Sequence, residues 1–480
     1  MNSKITEKIN SDEILQEIIN NFENEIYLVG GAVRDFLTGK STNDRDLLIL
    51  DEDAREFSLK VSEFFNATFV PLDEVNKIYR IVMPDKINYL DITNPLENSQ
   101  EKDLKRRDLT INAIAVNIRT AEIIDVTGGC LDLEKKIIKA ISGKNFEDDP
   151  LRLLRVFRFQ AQTGFCIDPE TFAAVEKYRD LISEPAVERI NYEMMHLFAG
   201  SFSSEALIKM DEAGLLEKIF PIVNELKQVT PNTHHHLRLF EHCLETSKRI
   251  GEIYKTSSDE VKEHLERVDF GGYSRLAHLK LAGFLHDIGK FSTWTIEEDT
   301  GRHRFIKHDD VGAKMVCGIL KKLAFSNKQI EYISSMIKNH IYPSSVMCSP
   351  VINDKVMMRY VRKMDTNSID AIILAQADRL SARGSAVTDE MVEKNLSSLN
   401  RLLKFYLDVR DTLEPLPKLL DGNDVMRILD IKPSKKLGEI MTALHEAQIN
   451  GDVLTVEHAV DFVKQAAEVV WVFISYLSGH

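Results

Sequence analysis

The sequence lacks several things that would place it quickly. No apolar run approaches the roughly 18–20 residues that a membrane-spanning helix needs, so no membrane partner is expected. The five cysteines (Cys130, Cys166, Cys243, Cys317 and Cys348) are scattered and odd in number. That excludes a disulfide framework or a zinc ribbon and points to reduced thiols. The opening stretch, MNSKITEKINSDEILQEI, has neither the basic start nor the apolar stretch of a signal peptide. A cytoplasmic location is the expectation. Positive charge is also short: the formal net charge is −14. A uniformly basic nucleic-acid binder is excluded, because phosphate binding runs on Lys and Arg. Local patches remain: KDLKRRD (102–108), KKIIKAISGK (135–144) and RLLRVFR (152–158) are basic and lie in the first third.

What is present is an ordinary globular composition, 44% hydrophobic and 28% charged over 480 residues. That length exceeds a single core of roughly 100–200 residues and predicts two to four units. Up to about residue 145 the pattern is mixed α/β. An amphipathic helix is expected over 1–25. EIYLVGG (25–31) reads as a strand ending in a Gly turn, and AVRDFLTG as a short helix stopped by Gly39. Strands follow at DRDLLILD (44–51) and INYLDIT (87–93). LTINAIAVNI reads as helix or strand, and EIIDVTGG (122–129) as a strand and turn. From residue 146 onward apolar residues recur at helical spacing, which predicts nearly all helix, broken near 220–236, 340–350 and 413–424.

Two stretches carry chemistry. In NDRDLL a strand would point Asp44 and Asp46 to one face. Two adjacent carboxylates repel, and a divalent cation with a taste for oxygen ligands, Mg²⁺, compensates best. Asp91 in YLDIT can supply a third. Three carboxylates holding two metals suit in-line phosphoryl transfer. Gly30 and Gly31 would let backbone approach phosphates, and Arg34, one turn into the next helix, could reach one. A D-x-D pair alone is usually a solvated turn; its neighbours Gly30, Gly31, Arg34 and Asp35, with Asp91, give it meaning.

GGAVRDFLTGKSTNDRDLLIL together with LKRRDLTINAIA (104–115), IIDVTGG, DDPLRLLRVFRF and ERINYEMM (188–195) closely resembles the bacterial-type tRNA nucleotidyltransferase / poly(A) polymerase family. The resemblance implies an α+β protein: a polymerase β-like, mixed-sheet nucleotidyltransferase head followed by an all-helical neck, HD domain and tail. The boundaries expected are 1–145, 146–220, 221–410 and 411–480. It implies Asp44 and Asp46 as Mg²⁺ ligands and Asp91 as the third catalytic carboxylate. Gly30, Gly31, Arg34, Arg107 and Asp108 become nucleotide contacts, with Asn112 on the ribose side.

DDPLRLLRVFR reads as a helix on which Asp149 and Arg152 share a face, continued by Arg155 and Arg158. Adenine and cytosine both present an amino donor beside a ring-nitrogen acceptor. A carboxylate accepts from the first and a guanidinium donates to the second. Uracil and guanine show the opposite pattern. One Asp–Arg pair can therefore select A and C without a template, and the resemblance assigns that role to Asp149 and Arg152, with Arg155 and Arg158 near the triphosphate or base. Asp148 stands where the family often has Glu.

Farther on, AGFLHDIGK (282–290) places His286 beside Asp287 in apolar surroundings, as consecutive helix positions that could bind one metal. With His242 upstream and Asp378 downstream, the order matches the HD phosphohydrolase superfamily. His308 and His340 resemble the extra ligands of two-metal HD sites. Imidazole admits Mn²⁺ or Ni²⁺ as well as Mg²⁺. His234, His235 and His236 could support His242. The tail, 419–463, resembles the family's C-terminal helical segment, with Gly422 and Asp424 read as a helix cap.

The function expected is template-independent addition of C and A, from CTP and ATP, to tRNA 3′ ends. The alternatives are addition of only A or only CC, a poly(A) polymerase, and an RNA-binding HD hydrolase with an inactive head. The acidic balance and complete HD set favour tRNA over poly(A). The pattern leaves the oligomeric state open.

Overall fold

The computed structural model describes residues 2–231, 236–349 and 352–477. His234 and His235 lie outside the described residues. The chain divides into two compact units, each drawn from segments distant in sequence. One comprises residues 1–228, 268–281 and 317–330; the other comprises 229–267, 282–316 and 331–480.

In the first unit, seven strands among the described residues form one mixed sheet. They are β1 (Ile26–Val29), β2 (Asp44–Ile49), β3 (Thr68–Asp73), β4 (Ile78–Val82), β5 (Tyr89–Thr93), β6 (Ala115–Asn117) and β7 (Ile123–Ile124). Their order is β3-β4-β5-β2-β1-β6-β7. β2 and β5 are parallel and every other neighbouring pair is antiparallel. A parallel pair needs a crossover. Here it is the helix Ala54–Phe64, capped by the Asp53 carboxylate, followed by the β3–β4 hairpin. The sequence pattern had predicted neither the helix nor the hairpin. β1 is buried throughout because its four residues are apolar on both faces.

The expected N-terminal helix is two helices, Asn2–Ser11 and Glu13–Asn21, hinged at Asp12. Asp12 caps the second helix and pairs with Arg45 of β2 at 2.8 Å, a buried ion pair. Arg45 also donates to Asn88, so the residue between the two β2 aspartates anchors the strand from its opposite face.

Beyond the sheet, the helix Arg152–Thr163 ends at Gly164 and packs on Val187–Ala199 and Ser203–Glu212. Its buried Leu153, Leu154, Val156, Phe157 and Ala161 explain why it forms there. The body is not wholly helical. β8 (Ile137–Ile138) pairs with β9 (Cys166–Ile167), and β10 (Trp294–Ile296) pairs with β11 (His303–Phe305).

The second unit is built around the helix Ser368–Ser381, which is buried over most of its length. It packs against Leu239–Thr256 and Asp389–Val409. Of the expected breaks, 340–350 holds one short helix, Tyr342–Met347, and 413–421 carries no regular element. The tail helices Gly422–Leu429, Lys435–Asn450 and Val456–Leu477 enclose a small core of Val425, Ile440, Leu444, Ala459 and Val463. The cap of the first is Asp421; Gly422 is already helical, and Asp424 completes a capping box with Asp421.

Candidate active site and a second candidate metal centre

Period-two geometry puts Asp44 and Asp46 on one face of β2, and the parallel register sets Asp91 directly beside Asp46. Ligand oxygens of all three lie within 4.8 Å of one another. Burial pushes the Asp46 carboxyl up to about 6; Asp44 and Asp91 add to this while Arg107 opposes it. Asp44 is raised for the same reasons, burial first and then Asp91. Carboxylates that resist ionising beside one another fit a hard divalent cation, whose charge would remove the conflict.

Gly30 has φ 73°, and a Cβ there would lie 2.5 Å from Asp46 Oδ2 and 3.1 Å from an Arg107 nitrogen. Only glycine lets the β1 turn pass this close to the carboxylate. Gly31 starts the helix Gly31–Leu37. Arg34 donates to Asn112 Oδ1 at 2.8 Å and to Asp35, and its guanidinium lies 5.0 Å from the Phe159 ring. It lines a separate cavity of about 400 Å³ with Lys40 and Phe165, not the one beside the carboxylates.

Asp46 and Asp91, but not Asp44, open on a cavity of about 350 Å³ whose walls also include Arg107, Asp108, Asp149, Arg152, Arg155 and Arg189. Arg106 and Arg107 both bond to the buried Asp103, Arg107 at 3.1–3.2 Å. Asp108 accepts from Arg155 at 2.6 Å, from the Leu109 N–H at 2.8 Å and from Asn112. Burial alone would raise the Asp108 carboxyl, but Arg155 and these donors hold it below the usual carboxylate range. Arg158 turns inward to the buried Glu193, at 3.2 Å, and is not on the cavity wall.

Asp149 and Arg152 do not share a helix. The helix begins at Arg152, while Asp149 is extended, with φ −147° and ψ 96°. Pro150 is the reason, since the residue before proline is driven out of the helical region. Both side chains nonetheless border the same cavity. Asp149 is met there by Arg189 at 3.1 Å, and Arg152 donates to the Asn145 carbonyl at 3.2 Å.

The second cluster lies in the second unit. His242 comes from the helix Leu239–Thr256 and Asp378 from Ser368–Ser381. His286 and Asp287 occupy the turn after the helix Arg275–Leu285, not the helix itself. His308 opens a helix and His340 follows one. His242 Nε2 is 3.1 Å from Asp378 Oδ1 and 3.4 Å from Asp287 Oδ2. His286 Nε2 is 3.2 Å from the same Asp287 oxygen. The other oxygen, Oδ1, faces His308 at 3.3 Å and His340 at 3.6 Å. Asp287 is therefore shared by two ligand groups.

Nδ1 of His286, His308 and His340 lies 2.6–2.8 Å from the carbonyls of Gly283, Phe305 and Ile337. A carbonyl only accepts, so Nδ1 carries a proton in each ring and Nε2 is the nitrogen turned into the cluster; burial pushes His340 down to about 4, so that ring is neutral at Nε2. Two such nitrogens, on His308 and His340, face each other at 3.3 Å. Inward-facing imidazole lone pairs around a shared carboxylate fit divalent metal ions. Lys290 Nζ stands 2.6 Å from Asp287 Oδ2. Burial opposes ionisation of Asp287, but His286 and Lys290 outweigh it and hold the carboxyl well below its usual range.

Sequence reasoning missed several charged neighbours. Asp103 was legible, because KDLKRRD spaces it three and four residues before Arg106 and Arg107. Lys290 is three residues after Asp287 in the quoted HDIGK. Arg189 and Glu193 lie in the quoted ERINYEMM but were given no role there, and Arg80 carried no local signal.

Comparison with known proteins agrees with this architecture. Residues 26–139 match the poly A polymerase head domain, 164–227 the probable RNA and SrmB-binding site of polymerase A, and 239–383 the HD domain. The chain thus has a nucleotidyltransferase head and an HD domain, both of which use divalent metals. It is 30% identical over 446 residues to an A-adding tRNA nucleotidyltransferase of Deinococcus radiodurans, covering 92% of this chain and 95% of that one. The chain belongs to the tRNA nucleotidyltransferase family. A CC-adding tRNA nucleotidyltransferase of Thermus thermophilus is 28% identical over 92% of this chain and 93% of its own. The CCA-adding enzyme of Bacillus subtilis is 35% identical over 206 residues, 41% of this chain and 51% of that protein. In fold, the chain is similar to the Thermotoga maritima CCA-adding enzyme complexed with tRNA, with TM-score 0.56, 19% identity and coverage of 97% and 98%. No helix among the described residues is long and apolar enough to cross a membrane.

Proposed function

We propose that this chain adds nucleotides from CTP and ATP to the 3′ end of tRNA, completing CCA without a nucleic-acid template. The observation that carries this is the cluster of Asp44, Asp46 and Asp91, two of which, Asp46 and Asp91, line a cavity that Asp149 and Arg152 also line. Asp44 and Asp46, with Asp91, would hold Mg²⁺. When bound, Mg²⁺ favours ionisation of the tRNA 3′-hydroxyl and screens the triphosphate. The hydroxyl gives up its proton to solvent as its oxygen bonds to the α-phosphorus, and the bond from that phosphorus to the bridging oxygen breaks, that oxygen leaving with pyrophosphate. Asp91 orients the hydroxyl. Arg107 and Arg155 face the anionic part of the nucleotide, Asp108 steadies Arg155, and Asn112 serves the ribose side. Asp149 accepts from the base amino group and Arg152 donates to the ring nitrogen, once Asp149 exchanges Arg189 for the base.

The division into head (1–145), neck (146–220), HD domain (221–410) and tail (411–480), and a cytoplasmic location, belong to the same reading. So does a second activity, hydrolysis of phosphoesters by Mg²⁺, Mn²⁺ or Ni²⁺ held among His242, His286, Asp287, Asp378, His308 and His340.

The full-length similarity to an A-adding relative favours a second reading, in which only the terminal adenosine is added. Extension of three tRNA transcripts, ending before CCA, after C and after CC, decides between them. Each is given CTP, ATP or both. Growth of the shortest transcript to CCA supports the first reading. Extension of only the CC-ended transcript, by ATP alone, supports the second. No extension of any transcript overturns both.

A further inference from the structure

Arg80 stands opposite Asp91 in the antiparallel β4–β5 register. Its Nε and Nη2 donate to the two oxygens of Asp91, each at 2.7 Å. The same Nη2 lies 3.9 Å from Asp44. The guanidinium rests 5.1 Å from the ring of Tyr89, two residues before Asp91 on β5. Arg80 therefore presents a fixed, planar cation to two of the three carboxylates that would hold the metal. Both oxygens of Asp91 are spoken for by a bidentate pair, among the stronger charge-assisted contacts a protein makes.

We propose that Arg80 is a built-in competitor of the divalent cation at the head site. It neutralises Asp91 and Asp44 while no metal is bound and must withdraw from Asp91 before that carboxylate can ligate. Arg80 lies on β4, the inner strand of the β3–β4 hairpin, whose turn residue Val75 is almost fully exposed at 92%. Arg80 thus belongs to the hairpin, whereas Asp44 and Asp46 belong to β2. This inference rests on the reading of Asp44, Asp46 and Asp91 as metal ligands, and Arg80 is on this account a positioning residue.

The test is Mn²⁺ binding to the full-length chain, followed by the electron paramagnetic signal of free Mn²⁺. The double variant Asp44→Asn/Asp46→Asn gives the binding due to all other sites, and subtracting it isolates the head site. Arg80→Gln removes the competing charge and is expected to tighten head-site Mn²⁺ by about tenfold, the worth of one charge-assisted bidentate contact. Arg80→Lys, which keeps the charge but loses the fork, is expected to tighten it less and guards against a misfolded hairpin. Unchanged or weaker Mn²⁺ binding in both variants would overturn the competition. Equal Mn²⁺ binding by the wild type and the double aspartate variant would instead show that the head holds no metal, a failure of the underlying reading.

Discussion

The two candidate metal centres solve one electrostatic problem in opposite ways. The head cluster offers only oxygen donors, and Asp44 is exposed to solvent. Its carboxylates are balanced by guanidinium groups from neighbouring elements, Arg80 and Arg107, each held by a carboxylate partner. The second cluster is more enclosed: His242, His286 and Asp287 are fully buried, with Asp378 and His308 half-buried at its rim. Its rings are locked by backbone carbonyls, and its carboxylate is shared between two ligand groups. An open oxygen site suits a metal that arrives and leaves with a triphosphate. A closed imidazole site suits a resident one, because removing the ion would leave buried lone pairs facing each other. Burial, more than ligand count, separates the two.

The sharpest break in that comparison is Asp44→Asn. It should lower tRNA extension by about a thousandfold or more, as loss of metal-held charge at a transferring phosphate does, while leaving metal in the second centre. Single-turnover extension and metal content measured on the same sample check both halves. Asp287→Ala is the converse. It strips the second centre of metal and leaves Lys290 buried without its carboxylate, so unfolding by urea should show a loss of about 3–5 kcal/mol. Extension should persist.

A buried histidine that is no ligand sharpens the contrast. His278 is pushed down to about 4, by burial first and then by Arg275, against the Ser274 carbonyl. The unfolded chain takes a proton near 6.5, so it binds more protons than the fold between about 6.5 and 4. The stability this neutral ring confers is complete above about 6.5 and lost as pH falls towards 4, roughly 3 kcal/mol in all. Urea titrations at stepped pH should show that slope in the wild type and a shallower one in His278→Gln. Next in size, Asp149→Ala should raise UTP and GTP incorporation relative to CTP and ATP by about tenfold to a hundredfold, the discrimination of one paired base edge. Competition assays with mixed nucleotides read it directly. Smallest is Asp421→Ala, which removes half of a capping box and should cost the tail about 1 kcal/mol, seen in thermal unfolding.

Much of the head was legible because its signals are local. D-x-D on a strand has one geometric meaning, and the apolar IYLV before a double glycine can hardly be anything but a buried strand and turn. The helical body was equally legible from its period, apart from the β8–β9 and β10–β11 pairs, which are too short to leave one. Asp149 shows a local rule overlooked: in DDP the proline forbids the helical conformation that the i,i+3 spacing suggested. The hairpin of β3 and β4 was missed because TFVPLDEVNKIYRIV alternates poorly, and its strands are only half-buried.

The sequence by itself determined which chemistries this protein can perform. It supplies three carboxylates for oxygen-loving metals, four histidines and two aspartates for a second centre, and an Asp–Arg pair able to read a base edge. Residue type and short spacing encode these, and both survive without a fold. Only the tertiary structure decided which cations face those groups. Arg80 reaches Asp91 through strand register, Arg189 reaches Asp149 across forty residues, and Asp287 becomes shared because four separate segments converge on it. Charge interactions depend on distance in space and on burial, and neither quantity is written along the chain.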